Sequence, residues 1–224
     1  DLLEQSIENW VKEIENSQII VFSGGFSAGD EPDGSAKFIV NVLKNERMKE
    51  AVMKHLEKDG LILGICNGFQ ALVKSGLLPY GEIRDLDASS PTLAHNAIGR
   101  HISQMVRVKV VSEHSPWLAG TLGEEYTIPI SHGEGRFVAS KEMIEELYQQ
   151  GQIATQYVDF EGNIAHGMPF NPNNSFFGIE GVSSKDGRIF GRMGHTERFS
   201  EGLMKNIPAA NYHNVFRNGV EYFK

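Results

Sequence analysis

Hydrophobic residues follow two patterns along this chain, and the change from one to the other divides it. Leu3, Ile7, Trp10, Val11 and Ile14 recur at three- and four-residue intervals, so the sequence opens inside an amphipathic helix. Ile19-Ile20-Val21-Phe22 is an unbroken apolar run ending in Ser23-Gly24-Gly25, which predicts a buried strand entering a tight loop. Ser35 to Asp59 reads as helix, broken near Asn45 and terminated by Gly60. Leu61-Ile62-Leu63-Gly64-Ile65 predicts a second buried strand, followed by Cys66-Asn67-Gly68 and a helix over Phe69 to Ser75. Two continuous apolar strands separated by helix predict a parallel crossover, because parallel strands are covered on both faces.

Beyond residue 100 the period becomes two. Val106, Val108 and Val110 alternate with Arg107 and Lys109, as in a half-exposed strand. Shorter strands are expected at Thr127–Ser131, Ile153–Val158 and Phe177–Ser183, with a helix over Lys141 to Gln150. Lys185-Asp186-Gly187-Arg188 then predicts a hairpin turn into a strand at Ile189–Met193. No repeat or Pro/Ser-rich linker interrupts the 224 residues, so one α/β domain over 1–224 is expected.

Composition narrows the partners. The longest apolar runs are strand-sized, whereas a membrane span needs about 20 residues, so no membrane partner is expected. A net charge of −8, from 21 basic and 29 acidic residues, argues against nucleic acid, which draws a basic excess. A single cysteine excludes an internal disulfide and fits a reducing, cytoplasmic setting. The sequence begins at Asp1 within a helical pattern and reads as a piece of a longer polypeptide; a trimmed initiator or tag is the alternative.

The candidate chemistry gathers at strand ends. In Gly64-Ile65-Cys66-Asn67-Gly68, small residues two before and two after Cys66 sit between a strand and a helix. That is the layout of a nucleophile elbow, with the helix N-terminus expected to favour thiolate and lower the pKa of Cys66. Most lone cysteines are inert core residues, and the elbow flanks are what set this one apart. A thiolate that attacks a carbonyl needs a proton carrier and a group to orient it. Among eight histidines, His195 has chemical company: it follows the last strand through Gly194, and Glu197 lies two positions on, able to fix its tautomer. An ordinary strand-end histidine beside a solvated Glu197–Arg198 pair is the competing interpretation.

Backbone N–H groups of Gly25 and Asn67 are candidates for an oxyanion hole. A phosphate loop at Gly24-Gly25 lacks the Gly-Lys-Ser/Thr ending it would need. Ser131-His132-Gly133-Glu134-Gly135-Arg136-Phe137 reads as a loop that presses backbone against a small polar ligand. His132 lacks a carboxylate or cysteine at zinc-like spacing, so no metal is expected.

Four blocks together resemble the class I (triad-type) glutamine amidotransferases: Gly24-Gly25-Phe26-Ser27-Ala28-Gly29-Asp30, Gly64 to Gln70, Ser131 to Phe137, and Gly194-His195-Thr196-Glu197-Arg198. The Cys-Asn-Gly-Phe-Gln and His-Gly-Glu-Gly-Arg-Phe wording, with Asn171-Pro172-Asn173-Asn174-Ser175, is similar to the branch that serves phosphoribosylformylglycinamidine synthases. The resemblance implies a flavodoxin-like, mostly parallel sheet flanked by helices, with added antiparallel strands. It implies a Cys66, His195, Glu197 triad and contacts from Gln70, His132 and Gly133 to L-glutamine. It further implies no cofactor in this domain, with ATP and magnesium in a partner synthetase domain that receives ammonia. The family usually has proline where this chain has Thr196, and begins with a further strand–helix unit that these residues lack. The Asp30 to Ser35 stretch resembles the long single-chain synthases, implying a C-terminal domain of a longer polypeptide. A cysteine hydrolase of similar fold (a peptidase or γ-glutamyl hydrolase) and a silent glutamine-sensing or docking module remain as rival functions.

Overall fold

The computed structural model describes residues 2–26, 34–207 and 211–224. Ser27 to Asp33, which hold the end of the first glycine block and most of the Asp30 to Ser35 stretch, lie outside the described residues. The first half contains α1 (Leu2–Glu15), β1 (Ile19–Phe22), α2 (Lys37–Leu43), α3 (Glu46–Glu57), β2 (Leu61–Ile65), α4 (Asn67–Ser75) and α5 (Leu77–Tyr80). The second half contains β3 (Thr92–His95), β4 (Ile102–Val110), β5 (Glu125–His132), β6 (Glu134–Val138), α6 (Lys141–Gln149), β7 (Ile153–Tyr157), β8 (Ile179–Ser183), β9 (Ile189–Arg192) and α7 (Val215–Glu221).

Among the described residues seven strands form one sheet in the order β1-β2-β9-β8-β7-β4-β5, while β3 and β6 pair separately. β1, β2 and β9 are parallel, and every other pairing in the large sheet is antiparallel. The α/β architecture is therefore a short parallel seam extended by an antiparallel half. The parallel seam carries the unbroken apolar strands, and the alternating sequence of Val106 to Val110 lies in the antiparallel part.

Local signals act as the sequence indicates. Asn45 breaks the helical stretch by capping α3, its Oδ1 accepting the Arg47 N–H at 3.1 Å. Gly60 ends it by passing over the buried ring of His55, where a Cβ would lie 2.2 Å from Nε2. The Lys185–Arg188 turn joins β8 and β9 as antiparallel neighbours.

Three expectations are corrected. Ser131–Phe137 is not a loop: Ser131 and His132 end β5, Gly133 alone turns the chain, and β6 begins at Glu134. Burial alternates along β5 and from Gly135 onward in β6, a pattern the ionisable residues obscured. β1 is an edge strand and only partly buried, with Val21 44% exposed, because among the described residues only β2 pairs with it. Phe177 lies outside β8, in a single turn with a φ of 54°.

The seam is held close by glycine. A Cβ on Gly68 would lie 1.9 Å from the carbonyl oxygen of Phe22, and one on Gly64 would lie 2.5 Å from Leu72 Cδ1. β1, β2 and α4 therefore meet backbone to backbone. Gly68→Ala is expected to destabilise the protein by about 1–3 kcal/mol, the usual cost of overpacking, read as a lower urea midpoint at unchanged slope.

Candidate active site

Because β1, β2 and β9 run parallel, their carboxyl ends open on one edge, and each delivers one element of the site. β1 leads through Ser23 to Gly24-Gly25, β2 leads directly into Cys66, and β9 leads through Met193 and Gly194 to His195. Their closeness can be gauged at Gly24. A Cβ there would lie 3.2 Å from Cys66 Cβ and 2.7 Å from His195 Cε1, so the glycine hydrogen occupies the space between cysteine and imidazole.

Cys66 has the strained backbone of an elbow, φ 52° and ψ −105°, outside the regions a non-glycine residue normally adopts. Its N–H donates to the Arg192 carbonyl and its own carbonyl accepts from Gln70 N–H, so the strain is held from both sides. The side chain is 5% exposed and its sulfur lies 3.6 Å from the Ser131 carbonyl oxygen. The expected lowering of the thiol pKa is not found. Burial pushes it up to about 11, against the favourable backbone N–H groups of Asn67 and Gly25 and the charge of Arg198. Desolvation at this depth outweighs a few oriented N–H groups, and the resting group is a thiol. Both predicted oxyanion donors nevertheless lie against this sulfur.

His195 Nδ1 lies 2.6 Å from Glu197 Oε1. Burial raises the Glu197 carboxyl, but the hydrogen bond and electrostatic pull of the His195 ring outweigh it, and its pKa is lowered. An ionised Glu197 accepts the Nδ1 proton and so fixes the tautomer that leaves Nε2 with its lone pair. Among the described residues, no hydrogen-bond partner reaches the buried Nε2. Arg198 stands 4.0 Å from the same Glu197 oxygen, so the solvated pair is the weaker of Glu197's two contacts.

The remaining predicted residues stand behind this trio. Gln70 is buried, and its side-chain amide donates to the Glu134 carbonyl of β6. His132 is buried too, with Nδ1 3.1 Å from Asn96 Oδ1, while Nε2 has no partner among the described residues. Burial, with a lesser electrostatic contribution from the neighbouring His101 and His195 rings, pushes its pKa down to about 4, so it is neutral. Gly133 forms the partly exposed turn between His132 and Glu134, its carbonyl accepting the Asn96 N–H at 2.9 Å. Among the described residues no three His, Cys, Asp or Glu side chains cluster to hold a metal ion.

Asn96, Glu134 and Asn173 were not singled out from the sequence. Glu134 Oε2 accepts from Ser35 N–H and Lys74 Nζ, each at 3.1 Å, tying β6 to α4 and to the start of α2. Asn173 Nδ2 donates to the Gly135 carbonyl at 2.6 Å. The only sequence signal for Glu134 and Asn173 was their place inside the resemblance blocks, and Asn96, outside every block, had none. A thiol at about 11 should be alkylated slowly at neutral pH. The rate of iodoacetamide modification of Cys66 in the folded protein is expected to rise toward pH 11, whereas the urea-unfolded chain should respond near the free-thiol value of ~8.5.

Known proteins place this arrangement. Residues 1–223 match the family model described as a CobB/CobQ-like glutamine amidotransferase domain. The phosphoribosylformylglycinamidine synthase subunit PurQ of Methanococcus maripaludis strain S2 is 36% identical, over 95% of this chain and 83% of that protein. The same-named subunit of Gloeobacter violaceus is 33% identical, over 86% of this chain and 75% of that one. Among solved structures, PurLQS from Thermotoga maritima superposes with a TM-score of 0.68 at 26% identity, covering 98% of this chain and 92% of that one. The glutaminase domain of Trypanosoma brucei CTPS with bound acivicin shares the fold at a TM-score of 0.50 and 14% identity, covering 96% of this chain and 75% of that one. With its sheet, its elbow cysteine and its sequence in agreement, this chain belongs to the glutamine amidotransferase domain family, alongside the PurQ subunits of phosphoribosylformylglycinamidine synthase.

Proposed function

We propose that this domain hydrolyses L-glutamine to glutamate and passes the ammonia to a synthetase that makes formylglycinamidine ribonucleotide from formylglycinamide ribonucleotide. The convergence of Cys66, His195 and the N–H groups of Gly25 and Asn67 at one strand edge carries this proposal. The PurQ relatives support the choice of synthetase. The rival hydrolase and silent-module functions have no such support.

His195 Nε2 takes the proton of the Cys66 thiol as sulfur attacks the side-chain amide carbon of glutamine. The oxyanion of the tetrahedral intermediate accepts from the Gly25 and Asn67 N–H groups, each such donor being worth roughly 3 kcal/mol of transition-state stabilisation. His195 returns the proton to nitrogen, the carbon–nitrogen bond breaks, and ammonia leaves a thioester on Cys66. Water, activated by the same Nε2, then cleaves the thioester to glutamate and thiol. Glu197 holds the ring throughout and stabilises the imidazolium. The Gly133 backbone is assigned to the α-amino and carboxylate end of the substrate. Gln70 and His132 support that contact from behind, through Glu134 and Asn96 respectively.

The synthetase half, with its ATP and magnesium, is assigned to a partner. A covalent fusion upstream is the arrangement favoured by the resemblance at Asp30 to Ser35, in a cytoplasmic enzyme. A glutaminase uncoupled from its acceptor wastes glutamine, so activity without the synthetase is expected to be low.

In the assembled enzyme, Cys66→Ala should abolish glutamine-dependent synthesis and leave ammonia-dependent synthesis largely intact; equal loss of both would make the residue structural. A glutamine-mimicking diazo-ketone should label one site per chain, at Cys66, and label elsewhere would refute the assignment. Glu197→Gln is expected to lower kcat by about 10²–10⁴-fold, measured as ammonia released, because the wrong tautomer is no longer disfavoured.

A further inference from the structure

Strands β8 and β9 carry a charged pair that no step of this reaction uses. The side chains of Glu180 and Arg192 are both fully buried, with Arg192 Nη2 3.0 Å and Nε 3.2 Å from the two carboxylate oxygens. Stability alone does not account for them, since apolar residues of the same volume would avoid the loss of hydration. Their other bonds lead to the residues on either side of His195. Glu180 Oε1 accepts the N–H of Gly194 at 2.7 Å, immediately before the histidine. Arg192 Nη1 donates to the hydroxyl of Thr196 at 2.9 Å, immediately after it.

The rest of the network fixes the pair itself. Thr155 donates its hydroxyl to Glu180 Oε2 at 2.5 Å, and His213 Nδ1 accepts from Arg192 Nη1 at 2.8 Å. His213 is stacked on Tyr126, ring centres 4.0 Å apart. Burial and the Arg192 charge push the His213 pKa far down, so its ring is neutral and Nδ1 is free to accept. The pair is thus anchored on β7, on β5 through Tyr126, and on the segment before α7. The Glu197 bond sets how the His195 ring is turned, but it leaves open where the backbone places the ring. That placement falls to Gly194 and Thr196, with the His195 N–H bonded to the Pro129 carbonyl at 2.8 Å.

We propose that the Glu180–Arg192 pair is a clamp that places His195 against Cys66, acting through the Gly194 N–H and the Thr196 hydroxyl. Arg192 and Thr196 are then positioning residues for glutamine hydrolysis, an inference that rests on His195 being the proton carrier. A small displacement of a proton carrier slows chemistry without weakening substrate binding.

The test compares ammonia release from glutamine by the full-length protein with its synthetase partner, for the wild type, Thr196→Val, Thr196→Ser, Arg192→Lys and Cys66→Ala. Valine keeps the shape of threonine and removes the hydroxyl, serine restores it, and lysine keeps the charge of Arg192 without its fork. Thr196→Val and Arg192→Lys are each expected to lower kcat about tenfold or more with the glutamine KM within about twofold, and Thr196→Ser to recover most of the loss. Three results would overturn the clamp: an unchanged kcat in either variant, a KM that rises as much as kcat falls, or a loss that serine does not reverse. If Thr196→Val fails to fold, Arg192→Lys alone decides. Persistent ammonia release by Cys66→Ala would instead refute the glutaminase assignment itself. A dead Cys66→Ala beside a fully active Thr196→Val refutes only the clamp.

Discussion

The site depends on how closely three chain segments approach at the carboxyl edge of the parallel seam. Cys66 can adopt its strained turn only because Gly64 and Gly68 leave no side chain between β2, α4 and the end of β1. His195 can stand beside it only because Gly24 presents a hydrogen where any other residue would place a carbon 2.7 Å from the imidazole. Close packing makes such approaches all-or-none, since interiors have no slack of the size of a methyl group. Catalytic geometry and fold stability therefore rest on the same few backbone contacts.

Electrostatics at this edge are set by burial. A thiol held near pKa 11 rather than the free-thiol value of about 8.5 makes thiolate formation costlier by about 3 kcal/mol. That is the size of the stabilisation a single oriented N–H donor supplies to an oxyanion. The site thus keeps sulfur protonated at rest, even with the N–H groups of Asn67 and Gly25 beside it. The Nε2 of His195, buried with no hydrogen-bond partner among the described residues, is a second polar group taken out of water at this edge. Glu197, about one-third exposed, keeps its charge because His195 and Arg198 attend it.

Behind this edge the antiparallel half acts as a frame. β8 supplies Glu180, β7 supplies Thr155, and the segment before α7 supplies His213, all converging on Arg192. Asn96, Asn173 and Glu134 perform a similar service for β6 and the Gly133 turn. The added strands are thus the means by which a short parallel seam holds its strand ends in register.

The local choices were legible in the chain. Unbroken apolar runs at Ile19 and Leu61 specified seam strands, alternation at Val106 to Val110 specified a strand covered on one face, and Asn45 and Gly60 specified helix ends. The glycines around Cys66 specified the elbow, and the His195-x-Glu197 spacing its partner. Each is a preference of neighbouring residues for one backbone shape, so sequence alone determines it. Tertiary structure decided what depends on neighbours distant in the chain. The half-buried state of β1 follows from its edge position, and the strand identity of Glu134–Val138 from pairing with β3. The raised pKa of Cys66 follows from the atoms packed around it, and the union of Glu180 with Arg192 from the β8–β9 register. Burial and charge pairing are sums over all surrounding atoms, and those atoms are known only once the chain has closed on itself.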